Sequence, residues 1–239
     1  MLPPFDRTAL LLDLDGTLID FAPTPDSVII PPDLPELLHR LKDRLDGALA
    51  IVTGRAIEVV DGFLGAGLPV AGEHGGAIRH TPGGPIERPD LAAAPADWYD
   101  RAQGLADRFP GSLLERKARG FALHFRRVPD AGPVFEAALR EMLAGQDALR
   151  MLAGQMLWEI RPAGADKGSA VRALMSRAPF AGRLPVFVGD DVTDADGIAA
   201  ANAMGGAGLW VDRSFGSPTG VRRWLETAAM SGAWGEVGR

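Results

Sequence analysis

Five short apolar runs, each closing on an aspartate, a glycine or another turn, set the strongest limit on how this chain can fold. They lie at Ala9–Asp13, Ala48–Thr53, Leu68–Gly72, Pro185–Gly189 and Gly208–Val211. Their hydrophobicity is continuous rather than alternating, which marks strands covered on both faces. Apolar residues at three- and four-residue spacing fill the intervals and predict helices over Pro35–Leu45, Ala56–Leu64, Ser169–Ser176, Asp194–Asn202 and Thr219–Met230. Strand and helix in alternation define an α/β fold built on a parallel sheet.

That rhythm breaks between residues 83 and 162. A helix at Pro95–Arg108 is followed by strands at Ser112–Lys117 and Phe121–Arg126, a helix at Gly132–Leu143, and strands at Ala148–Leu152 and Met156–Arg161. Helix, hairpin, helix, hairpin predicts an antiparallel sheet with helices on one face. The expected division is a core from residues 1–82 and 163–239, with an α+β domain inserted at 83–162. The turn-rich segments Thr81–Pro85 and Arg161–Gly164 form its borders. The tail Ser231–Arg239 is expected to fray.

Composition narrows the chemistry. The 239 residues include no cysteine, so disulfides, zinc–thiolate sites and thiol nucleophiles are excluded. A hydrophobic fraction of 46% is enough for an ordinary core. The net charge of −6 argues against a nucleic-acid partner, which demands a basic footprint. No apolar stretch approaches the roughly 18 to 20 residues of a membrane span. The opening run is too short for a signal peptide. A cytoplasmic, monomeric protein acting on a small molecule is the expectation, with no membrane contact.

Two acidic motifs follow strands. Leu11-Leu12-Asp13-Leu14-Asp15-Gly16-Thr17-Leu18 places two aspartates at a strand end, where α/β sheets bind ligands. A bare Asp-x-Asp is mostly a turn, but the full pattern after an apolar strand is far more specific. The Asp13 carboxylate can attack phosphorus and form an aspartyl phosphate, which splits one hard hydrolysis into two displacements. Asp15 can protonate the leaving oxygen and later activate water. The second motif, Val188-Gly189-Asp190-Asp191-Val192-Thr193-Asp194, gathers carboxylates that would repel one another without a cation. Magnesium suits such hard oxygen donors. Asp190 is the expected direct ligand, Asp191 and Asp194 are weaker choices, and one of the three caps the following helix. Ile51-Val52-Thr53-Gly54-Arg55 offers a hydroxyl at Thr53 and a cation at Arg55 for phosphoryl oxygen. Lys167, in Asp166-Lys167-Gly168, can neutralise both phosphate and Asp13.

Asp13, Asp15, Thr53, Lys167 and Asp190, in that order, resemble the motifs of the haloacid dehalogenase superfamily. The resemblance implies a Rossmann-like core with an inserted cap. It also implies magnesium held by Asp13, the backbone carbonyl of Asp15, and Asp190. More closely, Gly72-Glu73-His74-Gly75-Gly76, Glu115-Arg116-Lys117, Leu123-His124-Phe125-Arg126, Trp158-Glu159-Ile160-Arg161-Pro162, Asp166-Lys167-Gly168 and Gly189-Asp190-Asp191-Val192-Thr193-Asp194 are similar to segments of trehalose-6-phosphate phosphatases, in the same order. The similarity runs from Ala9 to about Val211, with departures at Arg116 and at Asp196-Gly197. It implies a phosphorylated disaccharide as substrate and sugar contacts at Glu115, Lys117, Arg126 and Glu159.

Strand alternation fits such a role. It sets Glu115 with Lys117, His124 with Arg126, and Glu159 with Arg161 on one face, and Leu123, Phe125, Trp158 and Ile160 on the other. A polar sheet face is also what solvent alone would select. His74, flanked by Glu73 and Gly75, is placed at the binding site, whereas His39 and His80 read as structural or solvated. Three functions stay open: trehalose-6-phosphate phosphatase; another sugar-phosphate phosphatase or a phosphomannomutase with the same cap; and a catalytically silent sugar-phosphate sensor. The intact acidic set counts against the last.

Overall fold

The computed structural model describes residues 2–22, 24 and 27–238. The chain divides into two compact units, residues 1–88 with 166–239, and residues 89–165.

The first unit is built on β1 (Thr8–Leu12), β2 (Leu49–Val52), β3 (Val70–Gly72), β4 (Ala77–Arg79), β9 (Leu184–Gly189) and β10 (Ala207–Trp210). Their order in the sheet is β10-β9-β1-β2-β3-β4. All neighbours are parallel except β3 and β4. Every residue of β1 and β2 is buried, which is why their sequences are continuously apolar. The sequence reading has no strand at 77–79; three residues that include Arg79 carry too little pattern to be seen. Helices α1 (Leu34–Arg44), α2 (Ile57–Leu64), α5 (Lys167–Met175), α6 (Ala195–Ala203), the short α7 (Val211–Ser214) and α8 (Pro218–Ser231) complete this unit. α1 buries Leu34, Leu37, Leu38 and Leu41, the three-and-four spacing of one helix face. In α8 the Ser217 side chain accepts from the Gly220 N–H, Pro218 occupies the first turn, and Gly232 stops the helix in the left-handed region at φ 71°.

The second unit holds α3 (Ala96–Asp107), β5 (Leu113–Arg116), β6 (Phe121–His124), α4 (Ala131–Leu143), β7 (Leu149–Gly154) and β8 (Leu157–Pro162). Its strands form an antiparallel sheet in the order β5-β6-β8-β7. Phe121, Leu123 and Ile160 share a buried cluster with Trp98 and Ala102 of α3 and with Phe135 and Leu139 of α4. Trp158 packs against that cluster and donates its indole N–H to the Gly132 carbonyl at 3.0 Å. Among the described residues no helix is long and apolar enough to cross a membrane.

The expectation of a frayed tail is corrected. Trp234 stacks on Trp224 at 4.8 Å and meets Phe5 at 4.7 Å, and the Gly238 N–H donates to the Ser214 carbonyl at 3.1 Å. A polar, glycine-rich segment looked loose because its two anchors lie on opposite ends of the chain; Arg239 lies outside the described residues. An aromatic pair contributes about 0.5–1.5 kcal/mol beyond the burial of its area. Trp234→Ala is therefore expected to lower unfolding free energy by about 1–3 kcal/mol in urea titration. An unchanged midpoint would show that the tail adds nothing.

Candidate active site

The first unit's motifs converge at the carboxyl ends of β1, β2 and β9, next to the point where strand order reverses beside β1. Asp13 leaves β1, and its N–H bonds to the Val188 carbonyl of β9 at 3.0 Å. Lys167 opens α5, whose N-cap is Asp166: Asp166 accepts from the Ser169 N–H at 2.7 Å while the Ser169 hydroxyl accepts from the Asp166 N–H at 3.1 Å. This reciprocal cap fixes the first turn and with it the lysine.

Lys167 Nζ lies 2.6 Å from Asp13 Oδ1 and 2.6 Å from Asp194 Oδ1, and all three side chains are buried. Asp194 Oδ2 accepts from the Asp190 and Asp191 N–H groups at 3.1 and 3.0 Å. One carboxylate thus ties the Asp190 loop to the lysine. Asp191 caps the short turn that follows, accepting from the Val192 N–H. The Thr17 hydroxyl sits 3.3 Å from Asp13 Oδ2 and 3.2 Å from Asp190 Oδ1. Gly16 has φ +78°, and a Cβ there would come within 2.2 Å of Asp190 Oδ2. Glycine is required both by the turn and by the approach of the second acidic loop.

The electrostatics follow from burial and crowding. Burial pushes the Asp13 carboxyl well above its ordinary range; Asp194 and Asp190 push it further, and Lys167 opposes them. Burial, then Asp194, raises Asp190 to about 6. Burial alone would weaken the Lys167 ammonium, but Asp13 and Asp194 overcome it and hold the proton more tightly than in water. Carboxylate oxygens of Asp13, Asp190 and Asp194 lie within 4.8 Å of one another, with one lysine among them. A hard divalent cation fits this donor set, because it relieves the repulsion that a single ammonium leaves.

Asp15 contributes no carboxylate to that cluster. Its carboxylate is gripped by Arg55, with Nε to Oδ2 at 2.7 Å and Nη2 to Oδ1 at 2.7 Å. The structure therefore places Arg55 on Asp15, a pairing that the sequence reading, which assigned it to phosphoryl oxygen, does not contain. Thr53 directly follows β2 and is buried; its carbonyl accepts from the His74 N–H at 2.9 Å and its hydroxyl from the Arg55 N–H at 3.2 Å. Glu73, His74 and Gly75 all have positive φ, at 52°, 54° and 96°. The buried His74 ring lies against Gly54, where a Cβ would meet Nε2 at 2.6 Å. Glu73 pairs with Arg88 at 2.7 Å.

On the polar face of the second unit's sheet, Lys117 Nζ lies 2.7 Å from Glu159 Oε1 and His124 Nε2 lies 2.8 Å from Glu115 Oε2. Burial works against the Glu115 charge, but the His124 bond and Lys117 hold its carboxyl below the usual range. Arg126, by contrast, reaches the Gln155 side chain at 3.1 Å. The sequence reading names no role for Thr17, and leaves Asp194 as a secondary choice of ligand. Both stand inside the quoted motifs, so their residue types were visible while their partners were not.

The fold is shared with solved haloacid dehalogenase-like hydrolases, including one from Bacteroides thetaiotaomicron at TM-score 0.63 and 15% identity, covering 92% of this chain and 98% of that one. The C-terminal domain of a C. albicans trehalose-6-phosphate phosphatase superposes with TM-score 0.79 at 21% identity, over 94% of this chain and 92% of that one. The trehalose-phosphatase family model matches residues 11–221, and the chain belongs to that family. A "Probable trehalose-phosphate phosphatase" of Sinorhizobium fredii is 40% identical over 218 residues, spanning 85% of this chain and 77% of the relative. The trehalose-6-phosphate phosphatase of Escherichia coli is 36% identical over 203 residues, spanning 84% and 76%.

Proposed function

We propose that this chain hydrolyses trehalose 6-phosphate to trehalose and phosphate, with Asp13 as nucleophile and Asp15 as acid and base. The observation that carries the reading is the buried Asp13 carboxylate, anchored through Oδ1 by Lys167 in a chain of the trehalose-phosphatase family. With Oδ1 anchored, Oδ2 is the atom that forms the bond to phosphorus as the bond from phosphorus to the sugar oxygen breaks. Asp15 gives that oxygen a proton. In the second half-reaction Asp15 takes a proton from water, the water oxygen bonds to phosphorus, and the Asp13 carboxylate departs. Thr53 and Lys167 steady the phosphoryl oxygens, and the turn at Glu73, His74 and Gly75 lines the site. Asp13, Asp190 and the Asp15 carbonyl would hold magnesium, which supplies positive charge to the phosphoryl oxygens when bound. Glu115, Lys117, Arg126 and Glu159 offer the charged donors and acceptors that sugar hydroxyls take.

Phosphate release should be rapid from trehalose 6-phosphate and lost in Asp13→Asn with circular dichroism unchanged. Substantial turnover by that variant would move the nucleophile elsewhere.

Magnesium should raise the melting temperature of the wild type, since a ligand at a hundred times its Kd stabilises by about 2.7 kcal/mol. Asp190→Asn should melt higher than wild type without metal, because it removes one crowded carboxylate, and should lose the response to magnesium. A full response in the variant would remove Asp190 from the site.

A buried hydrogen bond to a charged group contributes about 1.5–3 kcal/mol, so Glu159→Ala should lower kcat/KM for trehalose 6-phosphate by roughly ten- to a hundredfold. 4-Nitrophenyl phosphate, which carries no sugar, should lose far less. Equal losses on both substrates would make Glu159 a structural residue of its sheet.

A further inference from the structure

We propose that Arg55 and Phe63 form a positioning pair for Asp15, with Arg55 acting on the carboxylate and Phe63 acting through Arg55. The inference rests on the acid–base reading of Asp15 and adds what keeps that group aimed. Arg55 grips Asp15 with two parallel N–H···O bonds of 2.7 Å, a fork-to-fork geometry that fixes the plane of the carboxylate as well as its position. The guanidinium is in turn held from a third side. Its central carbon lies 5.1 Å from the centroid of the Phe63 ring, which stands on α2 and packs against the main core. The Arg55 N–H donates to Thr53 Oγ1, so the same arginine is tied to the end of β2 by its backbone.

The consequence is specific to a group that must work in both protonation states. As a base, Asp15 presents two acceptor oxygens and takes both guanidinium bonds. As an acid, its protonated oxygen faces the leaving group and only the other oxygen still accepts from Arg55. The rigid fork therefore keeps one anchor in a fixed direction when the other is given up, whereas a lysine's rotatable ammonium sets no plane for the carboxylate. Phe63 has no donor or acceptor of its own; it contributes by limiting the swing of the guanidinium.

The test uses the full chain with magnesium and compares Phe63→Leu, Phe63→Tyr, Arg55→Lys and Asp15→Asn. Phe63→Leu should lower kcat on trehalose 6-phosphate about two- to fivefold, the size of one partly exposed cation–ring contact, with KM unchanged. Phe63→Tyr, which keeps the ring, should restore it. Arg55→Lys should lower kcat/KM on trehalose 6-phosphate roughly ten- to a hundredfold and change 4-nitrophenyl phosphate far less, because that leaving group needs no proton. Equal losses in Phe63→Leu and Phe63→Tyr that follow a drop in melting temperature would reduce Phe63 to core packing. A rise in KM for both substrates with kcat retained in Arg55→Lys would make Arg55 a phosphate ligand. Either result overturns the pair while Asp15→Asn is still impaired. A fully active Asp15→Asn instead removes the acid–base reading on which the pair depends.

Discussion

The contact on which the rest of the site depends is the one between Lys167 and two buried carboxylates, each 2.6 Å from its ammonium. Stripping water from a carboxylate costs on the order of several kcal/mol, and here two are stripped within reach of a third. Only a fixed cation among them makes the arrangement tolerable in the folded state. The lysine is fixed because it stands in the first turn of a capped helix, so that its position is settled by the reciprocal bonds of Asp166 and Ser169 to the backbone as well as by its own side chain. Asp194 then transmits that position to the loop of Asp190, through two backbone N–H groups.

Much of this was legible in the sequence, for a physical reason. A strand covered on both faces must be continuously apolar, and the polar residues that end it must face the ligand side of the sheet, so Asp13, Thr53 and Asp190 declare themselves by where the runs stop. The second unit was legible by a different signal, the alternation that puts Leu123 and Ile160 on the face against the helices and Glu115 and Glu159 on the opposite, polar face of the sheet. Three residues at 77–79 gave no such signal.

Pairings were harder to read than positions. Arg55 and Asp15 are forty residues apart, and nothing in either local segment says that the parallel register of β1 with β2 brings their side chains together. The same holds for Trp234, whose partners Phe5 and Trp224 meet it only once both chain ends lie on the same side of the core. Thr17 was visible as part of a motif, yet its hydroxyl's place between Asp13 and Asp190 depends on Gly16 allowing two loops to touch. Residue type is a local property, whereas partnership is set by topology.

The border at residue 166 carries one more implication. Asp166 is the residue at which the chain re-enters the first unit, and it is also the cap of the helix that presents Lys167. The junction with the inserted unit and the first turn of that helix are therefore one piece of backbone. Whatever sequence occupies the excursion from 89 to 165, the chain has to return with an aspartate, a lysine and, two residues on, a serine in fixed register. Asp166 thus closes the excursion and caps the helix at once, so a change at this one residue would loosen the return of the chain and the presentation of Lys167 together.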